Sequence, residues 1–131
     1  MRLLLDTHIA IWAIADHPGL STKARNLIED PDNEIVVSAA TIWEIAIKHA
    51  LVRGNANDMP ISGPEALGYF RAAGFQVLDI SPAHAAAVET LPPLHSDPFD
   101  RLLVAQAMTV PLRLVTHDQS VAAYSDSIIV V

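Results

Sequence analysis

The sequence predicts an α/β protein, a three-layer α/β/α sandwich built on a five-stranded parallel sheet. Two observations carry this. Short runs dense in Leu, Ile and Val recur at 2–5, 34–37, 76–79, 112–115 and 128–130 without polar alternation, as in strands covered on both faces. Between them lie helical patterns at 8–15, 21–30, 39–52, 64–73, 82–91, 98–109 and 118–124. Strands separated by helices pair in parallel through right-handed crossovers, which places helices on both faces.

Each element has local support. Asp6 closes the run Leu3-Leu4-Leu5, and the first helix follows. Ser21 opens the second helix, Pro64 the fourth, Ser81-Pro82 the fifth and Asp97-Pro98 the sixth. Ser or Asp ahead of Pro at the first helical position is a helix start, because the missing proline N–H is one no helix could use. Residues 53–63, Arg-Gly-Asn-Ala-Asn-Asp-Met-Pro-Ile-Ser-Gly, hold the densest turn chemistry and read as an exposed loop between helices.

With 131 residues the chain fits one domain, 1–131, with room for one active site. Its 51% hydrophobic content and mean hydropathy of +0.31 exceed what so small a domain buries alone. Part of its apolar surface is therefore expected to be covered by a partner chain or a second copy. Without cysteine there is neither a disulfide framework nor a thiolate metal site. Asp6 interrupts the first apolar run too early for a signal-peptide core, and no run approaches the ~20 residues of a membrane span. A cytoplasmic location is the expectation. The net charge of -7 opposes broad phosphate binding, unless Lys23, Arg25, Lys48, His49 and Arg53 form a basic rim around an acidic centre. The same charge attracts a basic protein partner.

Four acids stand where an open α/β sheet keeps its chemistry. In such sheets ligands bind beyond the carboxyl ends of the strands, near the point where strand order reverses. Asp6 and Asp118 each follow a strand; Glu44 and Asp100 lie on helices. Each also has a plainer role. Asp6 and Asp118 suit helix caps. Thr41-x-x-Glu44 matches a capping box, and Glu44 with Lys48 makes an i,i+4 ion pair. A helix that starts nearer Ser38 instead moves Glu44 into its second turn, free to face the sheet end. Asp97 reads as a cap. Asp100 is more telling, since its helical neighbours Leu103, Val104 and Ala107 are apolar, and Arg101 points about 100° away around the helix. Acids drawn together in this way need protons or a divalent cation to relieve their repulsion. A metal-dependent hydrolase is the reading that follows.

The histidines His8, His49, His84, His95 and His117 lie in separate elements without helical pairing, which disfavours zinc. A carboxylate set suits Mg²⁺ or Mn²⁺. His95 and His117 read as loop or cap residues within reach of a substrate. Trp12 and Ile9, and likewise Trp43, Ile47 and Leu51, recur at helical spacing and read as core or a partner-facing groove.

Four segments together resemble a PIN-domain ribonuclease of the VapC toxin type. They are Leu4-Leu5-Asp6-Thr7-His8 with Trp12 following, Ser38-x-x-Thr41-x-Trp43-Glu44-Ile45, His95-Ser96-Asp97-Pro98-Phe99-Asp100-Arg101-Leu102 through Ala107, and Leu114-Val115-Thr116-His117-Asp118. They occur in family order along nearly the whole chain, and Asp-Pro-Phe-Asp-Arg is the most specific. The resemblance implies a Mg²⁺- or Mn²⁺-dependent endoribonuclease, cleaving RNA with a metal-activated water and acting as the toxin of a toxin–antitoxin pair. It also implies a homodimer and a cognate antitoxin whose tail covers the site. By motif, Asp6, Glu44, Asp100 and Asp118 are the catalytic and metal-binding acids, with Asp97 a cap, a water-mediated ligand or both. Thr7, Ser38 and Thr116 are expected to orient these acids.

Two rivals remain open from sequence. In haloacid-dehalogenase-like phosphatases an Asp after the first strand is the nucleophile, within an Asp-x-Asp pattern that His8 breaks here. Alternatively the acids only cap helices, and the chain is a non-catalytic binding module.

Overall fold

A computed structural model describes residues 1–51, 54 and 58–131. Its five strands, β1 (Arg2–Leu5), β2 (Glu34–Ser38), β3 (Gln76–Leu78), β4 (Arg113–Thr116) and β5 (Ile129–Val130), pair in parallel in the order β3-β2-β1-β4-β5. The chain lays down β1, builds outward through β2 and β3, then crosses back to add β4 and β5 on the other side. β1 is thus central, with Leu4 opposite Val36 on one side and Leu114 on the other.

Side chains alternate across a strand, so each apolar run feeds two cores. Leu3, Leu5, Ile35, Val37 and Val115 face one layer of helices, built from α1 (Thr7–Ala15), α2 (Thr22–Glu29) and α4 (Gly63–Ala72). Leu4, Val36 and Leu114 face the other, where α6 (Pro98–Thr109) supplies Leu102 through Ala105 and α7 (Gln119–Ala122) supplies Val121. The helix α3 (Ala39–Ala50) spans the two, sending Ile45 into the first core and Ala40 into the second. The expected three-layer sandwich is the fold found.

Each of the seven α-helices described opens on a Ser or Asp side chain that accepts a backbone N–H: Asp6, Ser21, Ser38, Ser62, Ser81, Asp97 and Asp118. Most differences from the sequence reading lie at element ends and amount to one or two residues. The helix expected at 82–91 splits into α5 (Pro82–Ala87) and a 3₁₀ turn at Val88–Thr90. β4 lies one residue later than read, so Thr116 belongs to it. α3 ends at Ala50, and Val52 lies outside the described residues, as do Arg53 and 55–57 of the loop. The rest of that loop is not fully exposed, because Met59 and Ile61 pack against the first core. Gly63 then lets α4 approach α3: a Cβ there would sit 3.0 Å from that of Ala46. Among the described residues no helix is long and apolar enough to cross a membrane.

Candidate acidic active site

The strand order reverses between β1 and β4, and the sequence delivers an acid to the carboxyl end of each. Asp6 directly follows β1, and Asp118 follows β4 after His117. α3, entered straight from β2, brings Glu44 to the same edge, and the first turn of α6 brings Asp97 and Asp100. All five line one cleft of about 130 Å³, with Lys48, His8 and His117 on its walls. The four acids read from sequence therefore converge, and Asp97 joins them.

Asp6 is buried, and both of its carboxylate oxygens are held. Oδ1 accepts the backbone N–H of Ile9 at 2.9 Å, and Oδ2 accepts the Thr116 hydroxyl at 2.5 Å. Thr116 Oγ1 in turn accepts the N–H of Asp118 at 3.0 Å. A single threonine at the end of β4 is thus hydrogen-bonded to two of the acids. Asp6 both caps α1 and faces the cleft, so its capping role does not take it away from the other acids.

Glu44 is also buried. Thr7 Oγ1 donates to its Oε1 at 2.7 Å, and Lys48 Nζ pairs with its Oε2 at 2.6 Å. The capping box is not formed: Ser38 caps α3 through Ala40 N, and Thr41 instead lies buried against Thr7 at 3.2 Å. Glu44 accordingly sits in the second turn and points at the sheet end. Ser38 does not touch the acids. Fully buried, it donates to Gln106 Oε1 of α6 at 2.5 Å and so ties the helix carrying Glu44 to the helix carrying Asp100.

Asp97 accepts the N–H groups of Phe99 and Asp100 at 2.8 and 3.1 Å. Asp118 accepts from Ser120 through both backbone N and hydroxyl, at 2.9 and 2.7 Å. Asp100 is half-buried, and its Oδ2 lies 2.8 Å from His95 Nε2. Arg101 turns away as the helix geometry requires, and its guanidinium binds carbonyls of the 88–95 segment.

The electrostatics follow from burial. Burial pushes the carboxyls of Asp6 and Asp100 above their ordinary range; for Asp6 the Thr116 and Ile9 hydrogen bonds pull the other way. At Asp100 the His95 hydrogen bond opposes the rise, while the charges of Asp97 and Asp6 add to it. Asp118, near the surface, is held below the ordinary range by its Ser120 hydrogen bonds. Among the described residues Lys48 forms an ion pair with Glu44, and His95 is a hydrogen-bond partner of Asp100. One lysine cannot balance five carboxyls, and a divalent cation fits the deficit. The donor set suits one: His95, Asp100 and Asp118 each offer an atom, all within 4.8 Å of one another.

The pattern of the PIN domain matches residues 3–126 of this sequence. The chain belongs to the PIN-domain family. It is 32% identical over 123 residues to Ribonuclease VapC22 of Mycobacterium tuberculosis, an alignment covering 93% of this chain and 91% of that protein. Solved structures share the fold. VapBC2 from Rickettsia felis, bound to a DNA fragment from its promoter, matches with a TM-score of 0.70 at 19% identity over 100% of this chain and 98% of that one. FitAcB from Neisseria gonorrhoeae matches with a TM-score of 0.63 at 19% identity, covering 98% and 96% of the two chains.

Within this PIN domain the sequence reading missed two contributors. His95, expected in a loop within reach of a substrate, does lie in the loop before α6, and its contact with Asp100 is the part not foreseen. Ser120, the second residue of α7, supports Asp118. Of the basic rim, Lys48 lines the cleft; Arg25 is paired with Asp16, Lys23 bonds the carbonyl of Val130, and Arg53 lies outside the described residues. His8 and His117 pack edge to face at 5.4 Å, and Trp12 adjoins both at 6.0 and 5.2 Å, an aromatic wall beside the acids.

Proposed function

We propose that this PIN domain is an endoribonuclease dependent on Mg²⁺ or Mn²⁺ and the toxin of a toxin–antitoxin pair. The observation that carries the reading is the convergence of Asp6, Glu44, Asp100 and Asp118 from four elements, with two of those carboxyls kept high by burial. Asp6 and Asp100 would hold the main ion directly. Asp118 and Glu44 complete the site directly or through water, and Asp97 supports it from the α6 cap. When bound, the ion activates a water toward an RNA phosphodiester and offsets charge on the phosphoryl oxygens. The chain itself supplies orientation. Thr116 and the α1 N-terminus fix Asp6, Thr7 and Lys48 fix Glu44, and Ser120 fixes Asp118. The engagement of both Asp6 oxygens speaks against its use as a phosphoryl-accepting nucleophile. The name of the relative VapC22 as a ribonuclease supports the RNA substrate, and the toxin–antitoxin naming of the structural neighbours supports an antitoxin. A net charge of -7 suits a basic partner.

The test is cleavage of a structured RNA by purified protein with Mg²⁺, Mn²⁺ or EDTA, beside thermal melts under the same conditions. Cleavage should require the ion, and Mn²⁺ should raise the melting temperature, since a ligand of the native state stabilises it. Equal cleavage in EDTA would refute the metal requirement. No cleavage and no Mn²⁺ shift would return the chain to a binding module.

We further propose that the homodimer forms through α3. Ile47 and Leu51 are exposed with Trp43 one turn before them, an apolar stripe at i, i+4 and i+8. Replacing Ile47 with Asp should dissociate the dimer in sedimentation velocity, because it buries an unpaired charge at the seam. An unchanged dimer mass would reject this face.

A further inference from the structure

The sequence suggested a metal site of oxygen donors alone, but the geometry brings an imidazole to it. Resting on the reading that this cleft takes a divalent cation, we propose that His95 is a nitrogen donor to that ion. With Asp100 and Asp118 it forms a mixed nitrogen–oxygen set that favours Mn²⁺ over Mg²⁺.

His95 Nε2 lies 2.8 Å from Asp100 Oδ2. Adjacent donors of an octahedral ion with bonds of about 2.0–2.1 Å are themselves about 2.9 Å apart. The two atoms already sit at that spacing, and a carboxylate oxygen of Asp118 completes a trio within 4.8 Å. The other ring nitrogen is also placed for the task. Ser120 Oγ lies 2.7 Å from Asp118 Oδ1 and 3.4 Å from His95 Nδ1. Its hydrogen is committed to the carboxylate, so its lone pair faces Nδ1 and can accept a hydrogen from it once Nε2 turns to an ion. Without an ion Nε2–H donates to Asp100 Oδ2. A cation would take that hydrogen's place, with the ring hydrogen moved to Nδ1 and the Nε2 lone pair and the carboxylate turned to the ion. Metal-binding histidines are commonly held in this way, by a hydrogen bond from the second ring nitrogen.

The backbone of His95 is fixed as well. Its carbonyl accepts from Arg101 Nη1 at 3.5 Å and from the Tyr124 hydroxyl at 3.4 Å. His8 and His117, the other imidazoles lining the cleft, are occupied with ring packing against each other and Trp12. Imidazole suits Zn, Cu, Fe and Ni, while carboxylate suits Mg²⁺ and Mn²⁺ alike. Of these two, Mn²⁺, a transition ion, accepts a nitrogen donor the more readily. His95 is thus the residue that sets the ion preference of an otherwise carboxylate site.

The decisive measurement is pulsed electron paramagnetic resonance of the full chain loaded with Mn²⁺, which detects ¹⁴N bound directly to the ion. Directly coupled nitrogen is expected in the wild type and in His117→Ala, and should vanish in His95→Ala while carboxylate-bound Mn²⁺ remains. Titrations should show His95→Ala losing more Mn²⁺ affinity than the roughly 10–100-fold typical of a residue that only supports a ligand, with a smaller loss for Mg²⁺. Bound Mn²⁺ without nitrogen coupling in the wild type, or coupling that survives in His95→Ala, would overturn the assignment and leave the metal reading intact. Failure of the wild type to bind Mn²⁺ at all would overturn both.

Discussion

Replacing Asp6 or Asp100 with Asn is expected to lower ribonuclease activity at least about 100-fold, beyond the loss typical of an outer-shell partner. The same change should make the metal-free protein more stable at neutral pH. The second effect follows from burial. Both carboxyls have folded pKa values raised above the ordinary 3.8, with desolvation as the largest cause. A raised carboxyl binds more protons folded than unfolded, so stability is greatest below the ordinary pKa and falls as pH rises through the folded value. Asparagine keeps the shape and carries no charge to desolvate. At position 6 it still caps α1, since Asn and Asp are equivalent caps. Melting temperatures in EDTA across about pH 4 to 8, a span that brackets ordinary and raised carboxyl pKa values, provide the check. The variant-minus-wild-type difference should be small at the acid end and grow as pH rises. Subtracting the wild type removes the opposite trend from Asp118, whose pKa is depressed. Saturating Mn²⁺ should reverse the order at pH 7 by stabilising the wild type alone. A variant less stable than wild type in EDTA at pH 7 would mean that Asp6 and Asp100 are structural acids rather than acids kept at a cost for binding.

How far this was legible depends on the element. The runs Leu3-Leu4-Leu5 and Leu114-Val115 reveal strands because both faces are buried, and apolar side chains then show no polar alternation. Asp6 and Asp118 were legible through the location rule for open sheets. Glu44 was ambiguous because Thr41-x-x-Glu44 satisfies a local rule that a better-placed competitor defeats. Ser38, at the last position of β2, reaches Ala40 N first and starts α3 early. Asp100 was legible from the apolar stripe that follows it. His95 was not, since the 91–97 segment has no period to assign its side chains to a face. Contacts from Arg101 and Tyr124 set its position, and these belong to tertiary structure.

Arg101→Ala is therefore expected to be the most damaging change outside the acids. The guanidinium donates to the carbonyls of Val88, Leu91, Pro92 and His95 at 3.3, 3.4, 3.0 and 3.5 Å, and to the Tyr124 hydroxyl at 2.9 Å. It gathers an irregular segment that has few backbone partners of its own and presents His95 to Asp100. Truncation leaves several part-buried acceptors without a donor, at about 1–3 kcal/mol for an unsatisfied group. Partial access of water to the segment moderates the sum, so the expected loss is about 2–3 kcal/mol on that scale. Lysine should not rescue it, because a point ammonium cannot span carbonyls that a planar fork reaches. Urea denaturation measures the loss, and hydrogen exchange should show lost protection concentrated between residues 88 and 96. Activity should fall with it, more steeply than global unfolding accounts for, because the loosened segment carries a group in contact with the acids. A loss below about 0.5 kcal/mol, ordinary for a surface site, or full rescue by lysine, would show that the segment holds its shape without this clamp.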